Sequence, residues 1–166
     1  AFFAGGISLY FSDMLGNRNL STILNVNTAY GDFFKSSALI VAYENRRTRW
    51  NWFVEAGQIP YVNVGYEAAG IEGGAYVEQE RRLWQVSRQL ITGVSYPFSR
   101  ASRFEVSGGY QNLDFSDERR ISTYDRITGE LIDQVTVDLD SPNSLNQGLF
   151  TTALVYDNTI FGGTGP

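Results

Sequence analysis

Apolar and polar residues alternate along most of this chain, and clusters of turn-forming residues interrupt the alternation. Between residues 6 and 26, Ile7, Leu9 and Phe11 alternate with Ser8, Tyr10 and Ser12. After a turn rich in Asp, Gly and Asn (13–19), Leu20, Thr22, Leu24 and Val26 take one face and Ser21, Asn25 and Asn27 the other. Period two on both sides of a turn predicts an antiparallel hairpin, because successive strand side chains point to opposite faces.

The same unit recurs. Strands are expected over 5–12, 19–29, 33–44, 49–58, 77–96, from 103 onward and over 148–156. In the fourth, Trp50, Trp52, Val54 and Ala56 oppose Arg49, Asn51, Phe53, Glu55 and Gly57; in the fifth, Leu90, Thr92, Val94 and Tyr96 oppose Gln89, Ile91, Gly93 and Ser95. Residues 59–76 hold Pro60 and several glycines with no sustained period, and read as a long loop. Beyond Asn112 the pattern grows polar yet stays β-like, with Thr128-Gly129 as a hairpin tip and Pro142 as an interruption. Arg88 falls on the apolar face of its strand, so in a membrane it must lie beyond the hydrocarbon or follow a bulge.

The fold class expected is all-β: an antiparallel up-and-down meander of about seven to eight long strands. Residues 1–166 form a single segment of a transmembrane β-barrel in this reading. The connections at 13–19, 45–48 and 97–102 are short and those at 59–76 and 112–147 long, with the short turn at 30–32 as the exception. Such asymmetry is expected of membrane barrels, whose periplasmic turns are short. Each strand also approaches the roughly 9–11 residues that cross a bilayer.

Composition narrows the classes. Aromatics make up 14% of the chain and lie near strand ends, where interfacial girdles place amphipathic rings. Lys35 is the one lysine, so the charged edge protection of a soluble sheet is thin. A net charge of −5 argues against nucleic acid as a partner. With no histidine and no cysteine, the commonest general base and the thiolate metal sites are lacking. The longest apolar run, 38–43, is far below a membrane helix, and 1–6 lacks the basic start and apolar core of a signal peptide. An export signal is expected upstream.

Asp114 with Asp117, Asp138 with Asp140, and Glu78 with Glu80 are paired carboxylates, but a glycosidase needs two that converge on a cleft. Residues 138–146 (DLDSPNSLN) carry oxygens for calcium without the glycine and terminal Glu of an EF-hand. Glu80-Arg81-Arg82 and Glu118-Arg119-Arg120 read as solvated loop charge, with salt-bridged strand faces or lipopolysaccharide-phosphate binding as alternatives. No His is present to activate a serine, and GIEGG (70–74) lacks the Gly-Lys-Ser/Thr ending of a phosphate loop. No catalytic, cofactor or metal residue is therefore assigned, and the chain is not expected to be an enzyme.

Four stretches, GGISLYFSDMLGNRNL (5–20), RWNWFVEAGQIPY (49–61), SYPFSRASRFEVSGGY (95–110) and ALVYDNTIFGGTGP (153–166), resemble the C-terminal barrel of certain bacterial outer-membrane proteins. In these a TolB-like propeller precedes a barrel similar to the bacterial surface antigen family, which includes outer-membrane assembly factors. The resemblance implies outer-membrane residence and further strands on both sides of the chain, with the glycine-rich end at 162–166 looking like a cut. The propeller and periplasmic repeats have no counterpart here.

The expected role is thus a structural, transport or assembly barrel with the lipid bilayer as partner, and other protein chains completing the barrel or complex. Candidate lumen-lining residues are Arg49, Asn51, Glu55, Gln89, Arg103, Glu105 and Gln111. Candidate lipid-facing or girdle residues are Trp50, Trp52, Val94, Tyr96 and Phe104. The competing expectation is a soluble β-barrel or sandwich binding a small apolar ligand, with the same apolar set turned inward.

Overall fold

The structure, a computed structural model, describes residues 3–29, 32–72 and 74–156. Among the described residues one antiparallel sheet contains every strand: β1 (Ala4–Ser12), β2 (Arg18–Asn27), β3 (Ala38–Asn45), β4 (Asn51–Glu72), β5 (Ala75–Pro97), β6 (Ser102–Asp125), β7 (Leu131–Leu139) and β8 (Leu145–Tyr156). Each strand pairs with the next in sequence as far as β7, giving the expected meander. β7 and β8 then share the outer side of β6. β7 pairs with residues 117–124 and β8 with residues 102–113, so the two are halves of one discontinuous strand. Pro142 sits in the gap, where a residue without an N–H interrupts the ladder at no cost in pairing.

Three expectations are corrected. Residues 59–72 are not a loop: they continue β4, paired with β5 from Ile59↔Ser87 to Glu72↔Ala75 with one register shift between Tyr66 and Ala68. β3 ends its pairing at Leu39↔Gln58, so beyond Gln58 the other side of β4 meets no strand among the described residues. Pro60 is tolerated because it lies on that open edge. The second long connection, over 112–147, is likewise mostly strand, and the hairpin tip expected at Thr128-Gly129 is found there: β6 runs on to Asp125 and β7 returns beside it, leaving 126–130 and 140–144 outside the strands. The asymmetry between the two rims is therefore one of strand length. β4, β5 and β6 are 22, 23 and 24 residues long, about twice what a membrane crossing needs.

The third correction concerns the start of the third strand. Phe33–Ser36 is a single helical turn, α1, and the strand begins at Ala38. Asp32 caps the turn by accepting from the Lys35 N–H at 3.1 Å. The Ser36 hydroxyl bonds the Asn27 and Asp32 carbonyls, and the Gln58 amide donates to Phe34 O at 2.6 Å and Ser37 O at 3.2 Å. These groups lie outside the four residues themselves, so alternation over 33–36 carried no information about them.

Candidate functional site

The register sorts the sheet into two chemically distinct faces. Cross-strand partners point the same way, so the rows can be followed from strand to strand. One row runs Leu9, Thr22, Val41, Ala56, Leu90, Tyr110; the next runs Phe11, Leu20, Tyr43, Val54, Thr92, Gly108, Phe150. A third runs Asn45, Trp52, Val94, Val106, Thr152. Nearly every member is apolar or small. This face is exposed: Leu90 is 53%, Phe150 75% and Leu154 75% accessible.

The band has a polar upper border. Gln58, Arg88, Asn112 and Asn146 form one row across β4, β5, β6 and β8. Arg88 Nε donates to Gln58 Oε1 at 2.9 Å, and Asn146 Oδ1 accepts from Asn112 at 2.8 Å and from the Tyr110 hydroxyl at 2.6 Å. Arg88 is thus on the apolar face with no bulge nearby, at the height where that face turns polar. The lower border is aromatic. Trp50 packs on Tyr96 with centroids 4.8 Å apart, Tyr96 on Phe98 at 5.5 Å and Tyr43 on Trp52 at 5.3 Å.

The opposite face brings together Asn51, Glu55, Gln89, Arg103, Glu105 and Gln111. Asn51, Ser95 and Glu105 form one row and Gly57, Gln89 and Gln111 another. Gln89 donates to Glu55 at 2.8 Å, Gln111 to the Ser87 hydroxyl at 2.9 Å and Arg103 to Glu105 at 2.5 Å. Arg49 does not join them. It precedes β4, and its guanidinium lies 5.0 Å from the Tyr96 ring centroid, on the side of the aromatic border. Trp52, Val94, Tyr96 and Phe104 share the apolar face, while Trp50 stands just outside β4 and reaches that face through its ring contact with Tyr96.

The polar face is crowded at three glycines. A Cβ on Gly93 would sit 2.4 Å from Phe53 Cε1, on Gly109 2.5 Å from the Leu90 carbonyl oxygen, and on Gly57 2.9 Å from the Leu39 carbonyl oxygen. Alternation alone did not anticipate this packing, because Phe53, Ile91 and Ile40 are apolar side chains on the polar face, laid over glycines of neighbouring strands.

Above the polar border the extension of β4, β5 and β6 has its own chemistry. Asp117 takes Arg81 in a forked ion pair, with Nη2 to Oδ2 at 2.5 Å and Nε to Oδ1 at 3.0 Å. Those bonds hold the Asp117 carboxyl below its ordinary range, against the opposing effect of burial. Asp125, at the hairpin tip, is also lowered, because Oδ1 accepts from the Thr128 and Ile127 backbone N–H groups at 2.8 and 2.7 Å. Arg82 pairs with Glu80, and Lys35 of α1 crosses to Glu118 with its ammonium 5.1 Å from the Trp84 ring centroid. Glu80-Arg81-Arg82 is therefore salt-bridged strand, not solvated loop. Trp84 and Val86 are the buried hydrophobics among the described residues.

Asp114 and Asp117 do not converge. Three residues apart on one strand, they occupy opposite faces, with Arg88 3.6 Å from the first and Arg81 on the second. Among the described residues no cluster of Asp and Glu is grouped to hold a metal ion. No family model, curated protein or solved structure matches this chain.

Proposed function

We propose that the chain forms part of a β-barrel wall in the bacterial outer membrane, with a structural, transport or assembly role and no catalysis of its own. In this reading the apolar face meets lipid and the Glu55, Gln89, Gln111 face lines the lumen. Kinship with the surface-antigen barrel family belongs to the same proposal.

The observation that carries it is an exposed apolar band continuous over the meander, bordered by aromatics below and polar residues above. Burying a side chain the size of Leu or Phe gains about 1.5–3 kcal/mol. This sheet leaves a dozen such side chains uncovered, from Ile7 on β1 to Leu154 on β8. A water-soluble protein rarely exposes so large a contiguous patch. Hydrocarbon would cover it. The outward positions from Leu90 to Phe98 span nine residues, the length of one tilted crossing.

Lipid also imposes a demand. The outer edges of β1 and of β7 with β8 have no partner strand among the described residues. An unpaired backbone group in hydrocarbon costs several kcal/mol, so the wall closes with additional strands, supplied by the same polypeptide or by other chains.

Carbonate washing of outer membranes, followed by gel mobility of unheated and heated samples, tests the reading. Retention in the pellet with a heat-dependent shift is expected. Release into the soluble fraction would overturn it and favour an apolar-ligand binding module.

A further inference from the structure

Three hairpin turns lie on one rim of the sheet: 13–17, 46–50 and 98–101. Arg46 N–H donates to Asn17 O at 2.6 Å, tying the first two turns together. With the residues flanking them, these turns carry Arg18, Arg46, Arg47, Arg49, Arg100 and Arg103 against Asp13, Glu44 and Glu105. That local excess of positive charge stands out in a chain of net charge −5.

The three carboxylates are already engaged. Glu44 holds Arg46 at 2.6 Å and Glu105 holds Arg103 at 2.5 Å. Asp13 Oδ1 accepts from the Asn17 and Arg18 backbone N–H groups at 2.6 and 3.2 Å, closing its turn. Arg47, Arg49 and Arg100 are exposed and have no carboxylate partner among the described residues. Arg49 stacks on Tyr96, which also carries Trp50 and Phe98. Guanidinium groups beside a belt of rings, directly below an apolar band, form a surface with apolar depth and anionic demand at one level.

We propose that this rim docks anionic glycerophospholipid headgroups, with Arg47, Arg49 and Arg100 contacting phosphate and Trp50, Tyr96 and Phe98 seated at the acyl boundary. The inference rests on the barrel reading above. Two features carry it. A guanidinium matches the fork of phosphate oxygens, and indole and phenol rings prefer the headgroup level. Short turns face the periplasm in such barrels. Charge complementarity thus selects the lipid class.

The test uses the purified protein reconstituted in phosphatidylcholine vesicles, with spin-labelled phosphatidylglycerol or spin-labelled phosphatidylcholine as the probe. The motionally restricted fraction of each label gives the relative association with the protein surface. At low salt the phosphatidylglycerol probe is expected to associate about fivefold better, the size of one arginine's attraction to an anionic surface. The ratio should fall toward one in 1 M salt and in the triple variant R47Q/R49Q/R100Q. A ratio near one for the unmodified protein would overturn the proposal, as would a high ratio that the triple variant leaves unchanged. Heat-modifiable mobility on the same vesicles separates the two readings. Protein that inserts without selectivity sinks only the headgroup site, whereas protein that fails to insert sinks both.

Discussion

Phe53 lies directly across from Gly93, and a Cβ added to that glycine would stand 2.4 Å from the ring. The absence of a side chain on β5 is what lets an aromatic of β4 lie flat on the polar face. Gly93→Ala should therefore destabilise the protein by about 1–3 kcal/mol, the usual penalty for overpacking. Phe53→Ala removes the obstacle. Chemical-denaturant unfolding of both single variants and the double variant should give a double-variant loss smaller than the sum of the two.

Gly109→Ala should cost more than Gly93→Ala. Its Cβ would meet the Leu90 carbonyl oxygen at 2.5 Å and Ile91 Cα at 3.0 Å, both backbone. A ring can swing aside, but a paired strand moves only by breaking its ladder. Comparing the denaturation midpoints of the two variants checks the order.

The two faces should answer oppositely to charge. Val54 belongs to the apolar rows between Tyr43 and Thr92, while Gln111 lies opposite Gln89 on the polar face. Val54→Arg is expected to cost about 2–4 kcal/mol if Val54 sits near the bilayer midplane. Gln111→Arg should be tolerated within about 1 kcal/mol, since water or facing carboxylates solvate the new charge. Equal losses measured by unfolding from vesicles would contradict the assignment of faces.

The Arg81–Asp117 pair predicts a pH dependence confined to the extension. Asp117 titrates below its ordinary value of 3.8 in the folded chain, so its contribution is present at neutral pH. That contribution fades as pH drops below about 4 and is gone once pH passes the lowered folded value. Asp117→Asn should remove this acid-side loss and cost about 1–2 kcal/mol at pH 7, because Arg81 remains 41% exposed and water screens the pair. Protection of β5 and β6 amides against hydrogen exchange, followed from pH 6 to pH 3, reads the effect where it occurs.

At the hairpin tip after β6, Gly129 adopts φ +72° and its N–H donates to Asp125 O at 2.9 Å. Gly129→Ala places a Cβ in the left-handed region at about 1–2 kcal/mol. The tip lies far from the band, so the loss should appear as faster amide exchange in 121–135 with little change in global unfolding.

Much of the fold was legible in the chain. Side-chain alternation over 5–12, 19–27, 38–44 and 89–96 predicted the strands and which residues share a face, since period two is a property of the strand itself. Hence Glu55, Gln89 and Gln111 could be grouped, and so could Trp52, Val94 and Phe104. Where local pattern and partner disagreed, the partner decided. Pro60 and the glycines of 59–72 signalled a loop, yet β5 supplies a continuous ladder for them. Phe33–Ser36 alternated like a strand, yet Asp32, Asn27 and Gln58 hold it as a helical turn.

The sequence by itself determined an all-β meander with one apolar and one polar face, because alternation depends only on neighbours along the chain. Tertiary structure alone decided how far the strands run past the apolar band and that β7 and β8 share one edge of β6. It also decided that Arg49 stacks on Tyr96 rather than joining Asn51, and that Phe53, Ile91 and Ile40 cover glycines across the sheet. Each of these depends on a group on another strand, distant in sequence and brought close only by the register of the ladder.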